Sequence, residues 1–74
     1  MKRDYRVISE YMNGTRVAKT ILHRDHQYWG VILEDTATSK GGFIMWHPTK
    51  SEYWVEDIAE NFCDGRLTPE GEPA

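Results

Sequence analysis

No apolar run in this 74-residue sequence approaches the roughly 20 residues needed to cross a bilayer, and the charged, polar start is not expected to act as a signal peptide. Cysteine is nearly absent: Cys63 stands alone, so no internal disulfide can form. The simplest compartment for such a chain is a reducing cytoplasm. Also missing are a nucleophile elbow, a phosphate-binding glycine loop, a dinucleotide fingerprint and a paired-cysteine metal motif. These absences argue against the commonest catalytic classes and point away from an enzyme. Repeats and low-complexity segments are lacking as well.

What remains is ordinary for a small globular domain. Apolar residues make up 39% and charged residues 28%, too apolar for a disordered chain. A domain of this size buries only about 60% of its unfolded surface, so most large apolar side chains must share one core. The rings are concentrated: all three tryptophans and all three histidines lie between His23 and Trp54. Such a cluster serves either as the core or as the anchors of a binding surface.

Charge is unevenly distributed. Residues 1–51 hold eight lysines and arginines against five acids, a net of +3, whereas residues 52–74 hold seven acids against Arg66 alone, a net of −6. This asymmetry suggests a partner chosen partly by charge, although a wet helix face is normally charged in any case.

Periodicity predicts an α+β fold: a four-stranded antiparallel meander with one C-terminal helix packed on one face. Residues 4–12 suit either a strand or a helical face, and Asn13-Gly14, a strong hairpin signal, favours the strand. The hairpin would place Tyr5, Val7 and Tyr11 on one face with Ala18 and Leu22 of a second strand, 15–23. Residues 27–34 read as a central strand, with Trp29, Val31 and Leu33 on one side and Tyr28, Gly30 and Ile32 on the other. Gly30 would leave a notch for a large neighbouring ring or mark a bulge. After a polar turn, 35–41, a fourth strand over 42–47 puts Phe43 and Met45 opposite Ile44 and Trp46, and Pro48 ends it. Thr49-Lys50-Ser51-Glu52 reads as a capping box for a helix over 50–64, with Trp54, Val55, Ile58, Ala59 and Phe62 as its apolar stripe and Gly65 as its stop. Residues 1–66 would form the compact domain and 67–74 a mobile tail.

The chemical candidates are few. His23, His26, His47 and Cys63 supply four nitrogen or sulfur donors, but their spacing matches no common zinc site, and neither metal nor cofactor is expected. A pair between His47 and Glu34 or Asp35 is conceivable at a sheet edge, yet so small a domain rarely offers a pocket to desolvate it. Asp57, Glu60 and Asp64 would raise the Cys63 pKa and keep it a poor nucleophile. A nucleic-acid interface is the alternative: Lys2, Arg3, Arg6, Arg16, Lys19 and Arg24 share the first hairpin with Tyr5 and Tyr11, although Arg6 and Arg16 would project to opposite faces. The favoured reading is a protein-binding module. Its contact would be the helix face Glu52, Glu56 and Glu60 with Asp57 at its flank, and Tyr53 and Trp46 as ring anchors.

In size, acidity, single cysteine and sheet-plus-helix layout the chain resembles the small phage-encoded proteins that block a host enzyme or defence complex, anti-CRISPR proteins among them. The resemblance rests on these whole-chain features rather than on a motif. It implies stoichiometric inhibition of a larger host protein, with no membrane involved and the oligomeric state open. Carboxylates on the helix would replace phosphates in a basic channel, or the rings would dock and block a conformational step.

Overall fold

The computed structural model describes residues 4–74; Lys2 and Arg3, counted above with the basic hairpin, lie outside the described residues. Four strands, β1 (Tyr5–Asn13), β2 (Arg16–His23), β3 (Trp29–Asp35) and β4 (Lys40–His47), precede a single helix, α1 (Glu52–Cys63). Each strand pairs antiparallel with the next, giving the sheet order β1-β2-β3-β4. This is the α+β meander with one helix that the hydrophobic periodicity predicts.

The core lies between α1 and one face of the sheet. Ala18, Val31, Leu33, Val55, Ala59, Phe62 and Cys63 are buried there, with Tyr11, Trp29, Met45, Trp54, Ile58 and Leu67 packed at its margin. Alternation along β3 accounts for the sheet's share, since Trp29, Val31 and Leu33 all face the helix while Gly30 and Ile32 face away. Trp54 and Ile58 therefore flank the helix contact, and the buried line runs through Val55, Ala59 and Phe62.

The β1–β2 hairpin differs from expectation in two ways. Its turn is Gly14-Thr15, because Asn13 pairs with Arg16 and stays in the ladder. Gly14 has φ +63° and takes the first central position, where a two-residue hairpin turn accepts glycine most readily. A register shift between Val7 and Ser9 then inserts Ile8 as a bulge. Beyond that bulge the faces exchange: Tyr11 opposes Ala18 on the helix side, whereas Val7 opposes Ile21 and Tyr5 opposes His23 on the other side. Tyr5, Val7 and Tyr11 therefore do not share a face. Arg6, opposite Leu22, comes onto the same side as Arg16 rather than the opposite one.

The helix begins later than the Thr49 capping box implied. Lys50 N–H donates to the His47 carbonyl at 3.0 Å, so Pro48 and Thr49 are consumed by a turn. Ser51 is the N-cap, its Oγ accepting from Trp54 N–H at 3.3 Å. At the far end Gly65 N–H donates to the Phe62 carbonyl and Arg66 N–H to the Asn61 carbonyl, the paired bonds of a Schellman ending.

Residues 67–74, read from sequence as a mobile tail, follow a hydrogen-bonded path. Leu67 bridges to Pro73, Thr68 N–H reaches the Glu72 carbonyl at 2.7 Å, and Ala74 N–H reaches the Arg66 carbonyl at 2.9 Å. Leu67 lies half-buried against the core, and Pro69 packs over Gly41 of β4. One apolar anchor, Leu67, is enough to give so short and polar a segment a place to dock.

Candidate interaction surfaces

Helical geometry divides the acids of α1 into two sets. Tyr53, Asp57, Glu60 and, just past the helix, Asp64 occupy the fully outward side and are exposed. Tyr53 is 84% exposed, far more than a ring so large needs for packing. Asp57 accepts from Asn61 Nδ2 at 3.2 Å. Glu56 is turned instead toward β1, where Tyr11 Oη donates to its Oε1 at 3.0 Å. Tyr11's pKa is raised by burial first and then by the Glu56 hydrogen bond and the charges of Glu56 and Glu60. Glu52 lies exposed in the first turn, where a carboxylate suits the positive end of the helix dipole. The residues Glu52, Glu56 and Glu60 thus drift around the cylinder rather than forming one row. No basic residue lies in the helix at all.

Trp46 is not part of that surface. It projects from the sheet face opposite the helix, in a cluster of rings. Trp46 meets His23 and Tyr28 edge-on at centroid separations of 5.2 Å each, and Tyr5 at 6.2 Å. The notch at Gly30 makes this possible: a Cβ there would sit 2.6 Å from Trp46 Cε3 and 2.9 Å from the Met45 carbonyl oxygen. His26 stacks on Tyr28 with planes 14° apart. Ile21 is fully buried although it faces away from the helix, between Val7 and Gly30 in the ladder. Farther along the same face Val7, Met12 and Ile44 are exposed, Met12 most of all at 72%.

The basic residues of the first hairpin are divided by task and by side. Arg16 carries a structural role that its position in the sequence did not announce. Its Nη1 donates to the carbonyls of Phe62 and Leu67, both at 2.8 Å, and its guanidinium lies 4.7 Å from the Phe62 ring centre. Asn13 Nδ2 adds a hydrogen bond to the Cys63 carbonyl at 2.9 Å. The hairpin tip thereby supplies the positive charge and donors that the last helical turn lacks. Lys19, on the side away from the helix, lies 3.8 Å from Glu10. Arg24 sits in the β2–β3 turn and Arg6 on the helix side of β1. Arg6, Arg16, Lys19 and Arg24 are therefore not gathered on one surface.

The residues weighed for chemistry are also dispersed. His47 opposes Trp29 at one end of the β3–β4 ladder and Glu34 opposes Gly41 at the other, a separation of about 17 Å along the strand. No His47–carboxylate pair forms there. His47 packs edge-on against Trp54 at 4.5 Å, and burial, followed by the charge of Lys50, pushes its pKa down. Asp35 is occupied by Thr15 Oγ1 and Ala37 N–H. Cys63 is buried, and its thiol is pushed up first by that burial and then by Asp64, with Arg16 pulling weakly the other way. His23 and His26 lie together on the open side of the sheet, their ring centres 4.8 Å apart, while His47 is on the helix side. Among the described residues no group of three or more His, Cys, Asp or Glu is arranged to hold a metal ion.

Comparison with known protein families, with curated proteins and with solved structures gives no match for this chain. No helix is long and apolar enough to cross a membrane among the described residues.

Proposed function

We propose that this protein is a non-catalytic binding module that occupies a basic surface on a larger, nucleic-acid-handling protein and inhibits it stoichiometrically, as a phage-type inhibitor would in the cytoplasm of a host cell. The observation that supports this reading is the outward side of α1. An almost fully exposed tyrosine stands among Asp57, Glu60 and Asp64, on a helix without a single cation. Carboxylates at this spacing steer a basic partner, and an exposed aromatic supplies the anchor that charge alone lacks. Of the two expected ring anchors, Tyr53 and Trp46, only Tyr53 stands on this side, since the Trp46 ring belongs to the opposite face of the sheet.

The test compares capture from host-cell extract by wild type, by D57K/E60K and by R6A/R24A. The purified partner is then titrated at two salt concentrations. Charge reversal at Asp57 and Glu60 should slow association about tenfold or more and flatten its salt dependence, while R6A/R24A behaves as wild type. Equal association by D57K/E60K would remove the acidic face from the interface. Salt-sensitive micromolar binding to labelled DNA or RNA, lost in R6A/R24A, would instead favour a direct nucleic-acid function.

A further inference from the structure

The connection between β2 and β3 is built around the side chain of His23. Its Nδ1 accepts from two successive backbone amides, Asp25 N–H and His26 N–H, each at 3.2 Å. This is the work a serine or aspartate does at a helix N-cap, holding the first amides of a turn. His23 also closes the loop through its own backbone, its N–H donating to the Tyr28 carbonyl at 2.9 Å and its carbonyl accepting from Gln27 N–H at 3.0 Å. Gln27 is held in the left-handed region at φ +58°, a costly conformation for a residue with a side chain. Its Nε2 helps to fix it there, donating to the Arg24 carbonyl at 2.7 Å and the His23 carbonyl at 3.4 Å.

Histidine differs from serine and aspartate in one respect that matters here. An imidazole can accept at Nδ1 only while that nitrogen is unprotonated, and an imidazolium is a donor at both nitrogens. A proton on Nδ1 would face two amide hydrogens. The same ring packs at 5.2 Å against Trp46, 4.9 Å against Tyr28 and 4.8 Å against His26. Opening the turn would therefore disturb the aromatic cluster over Gly30 and Ile21.

We propose that the β2–β3 turn is a proton-sensitive clasp: neutral His23 holds residues 24–28 and the ring cluster in place, and protonation of His23 releases them. The groups around the ring are His26 and Tyr28 of the turn, Tyr5 across the ladder on β1, and Trp46 from β4. The charged residues of the same turn are Asp25, whose amide donates to the ring, and Arg24, whose N–H donates to the carbonyl of Asp4 just before β1 at 2.8 Å. His26 carries the second imidazole of the turn, 4.8 Å from the first, and is the competing source of a response that the test must separate. The clasp is independent of the binding role assigned to α1, which lies on the other side of the sheet.

The test uses the isotopically labelled full chain. Long-range proton–nitrogen correlation of the imidazoles at about pH 7.5 should show His23 with its proton on Nε2 and none on Nδ1. Between about pH 7.5 and pH 5 the Asp25 and His26 amides should lose protection about fivefold or more beyond the intrinsic pH effect, the equivalent of one lost hydrogen bond. H26Q should retain that response. H23N supplies an acceptor that does not titrate, and should abolish it. A proton on Nδ1 at pH 7.5, or unchanged protection on acidification, would overturn the clasp on wild-type protein alone, whether or not H23N folds. A response that persists in H23N, or vanishes in H26Q, would overturn it equally.

Discussion

Arg16 joins three pieces of chain that are far apart in sequence: the hairpin tip, the last turn of the helix and the start of the C-terminal segment. Substitution by methionine keeps most of the aliphatic bulk over Phe62 but removes both hydrogen bonds. R16M should cost about 2–3 kcal/mol, in the range for hydrogen bonds from a charged donor, read from urea unfolding with an unchanged slope. Thr20 makes the opposite case. It is fully buried, and its Oγ1 has no hydrogen-bond partner. A buried hydroxyl without a partner is a desolvation cost with nothing to offset it. T20V should therefore raise stability by about 1 kcal/mol in the same assay. An equal or lower midpoint would mean that the hydroxyl is satisfied by solvent. Neither role is visible in sequence, where Arg16 is one cation among several and Thr20 is a normal strand residue.

At the level of elements, the sheet's two faces behave differently. The helix side follows from periodicity: alternation in β3 and the stripe of α1 identify its lining, and the Gly30 notch is legible as well. The other side depends on the bulge at Ile8, which no residue type nearby announces, and this is why simple alternation puts Tyr5 and Val7 on the wrong face. The capping box failed for a related reason. Two candidate caps, Thr49 and Ser51, stand two residues apart, and the turn closed by His47 and Lys50 decides between them. In G30A the new methyl would meet both the Trp46 ring and the Met45 backbone. It should cost about 1–3 kcal/mol by overpacking and shift a tryptophan emission that is absent in W46F. The junction of β4 and α1 should respond to pH through His47. Because burial and Lys50 hold its folded pKa below the ordinary 6.5, the unfolded chain takes up the proton more readily. The corresponding stability is complete above about pH 6.5 and declines as pH falls through that value toward the lower folded one. Melting temperatures of wild type and H47Q should thus converge on acidification.

For the whole molecule, the docked C-terminal segment changes what truncation should do. Removing residues 67–74 exposes the core margin covered by Leu67 and takes away one of the two Arg16 acceptors. Loss of a half-buried leucine is worth about 1 kcal/mol or more, and for a domain of this size the melting temperature should drop by about 5 °C or more. An unchanged melt would return the segment to the status of a tail. The charge asymmetry, by contrast, is a property of the whole chain that sequence gives completely. Its placement is not: of the seven acids after residue 51, only Asp57, Glu60 and Asp64 accompany Tyr53 on the outward side of the helix. A spacing of four residues cannot distinguish that row from the one that drifts toward β1.

The Arg16–Leu67 hydrogen bond, spanning 51 residues of sequence, also has a temporal meaning. The meander is made of neighbours in sequence, so its hairpins can form early and at small loop-closure cost. Arg16, however, leaves a ribosome long before its acceptors do. Until Phe62 and Leu67 emerge, the nascent sheet carries Ala18, Val31 and Leu33 uncovered, in a state open to association with other chains. Emergence of the helix and of Leu67 is thus the step that covers the sheet, and a nascent chain interrupted before it would present a sticky sheet rather than a smaller version of the same protein.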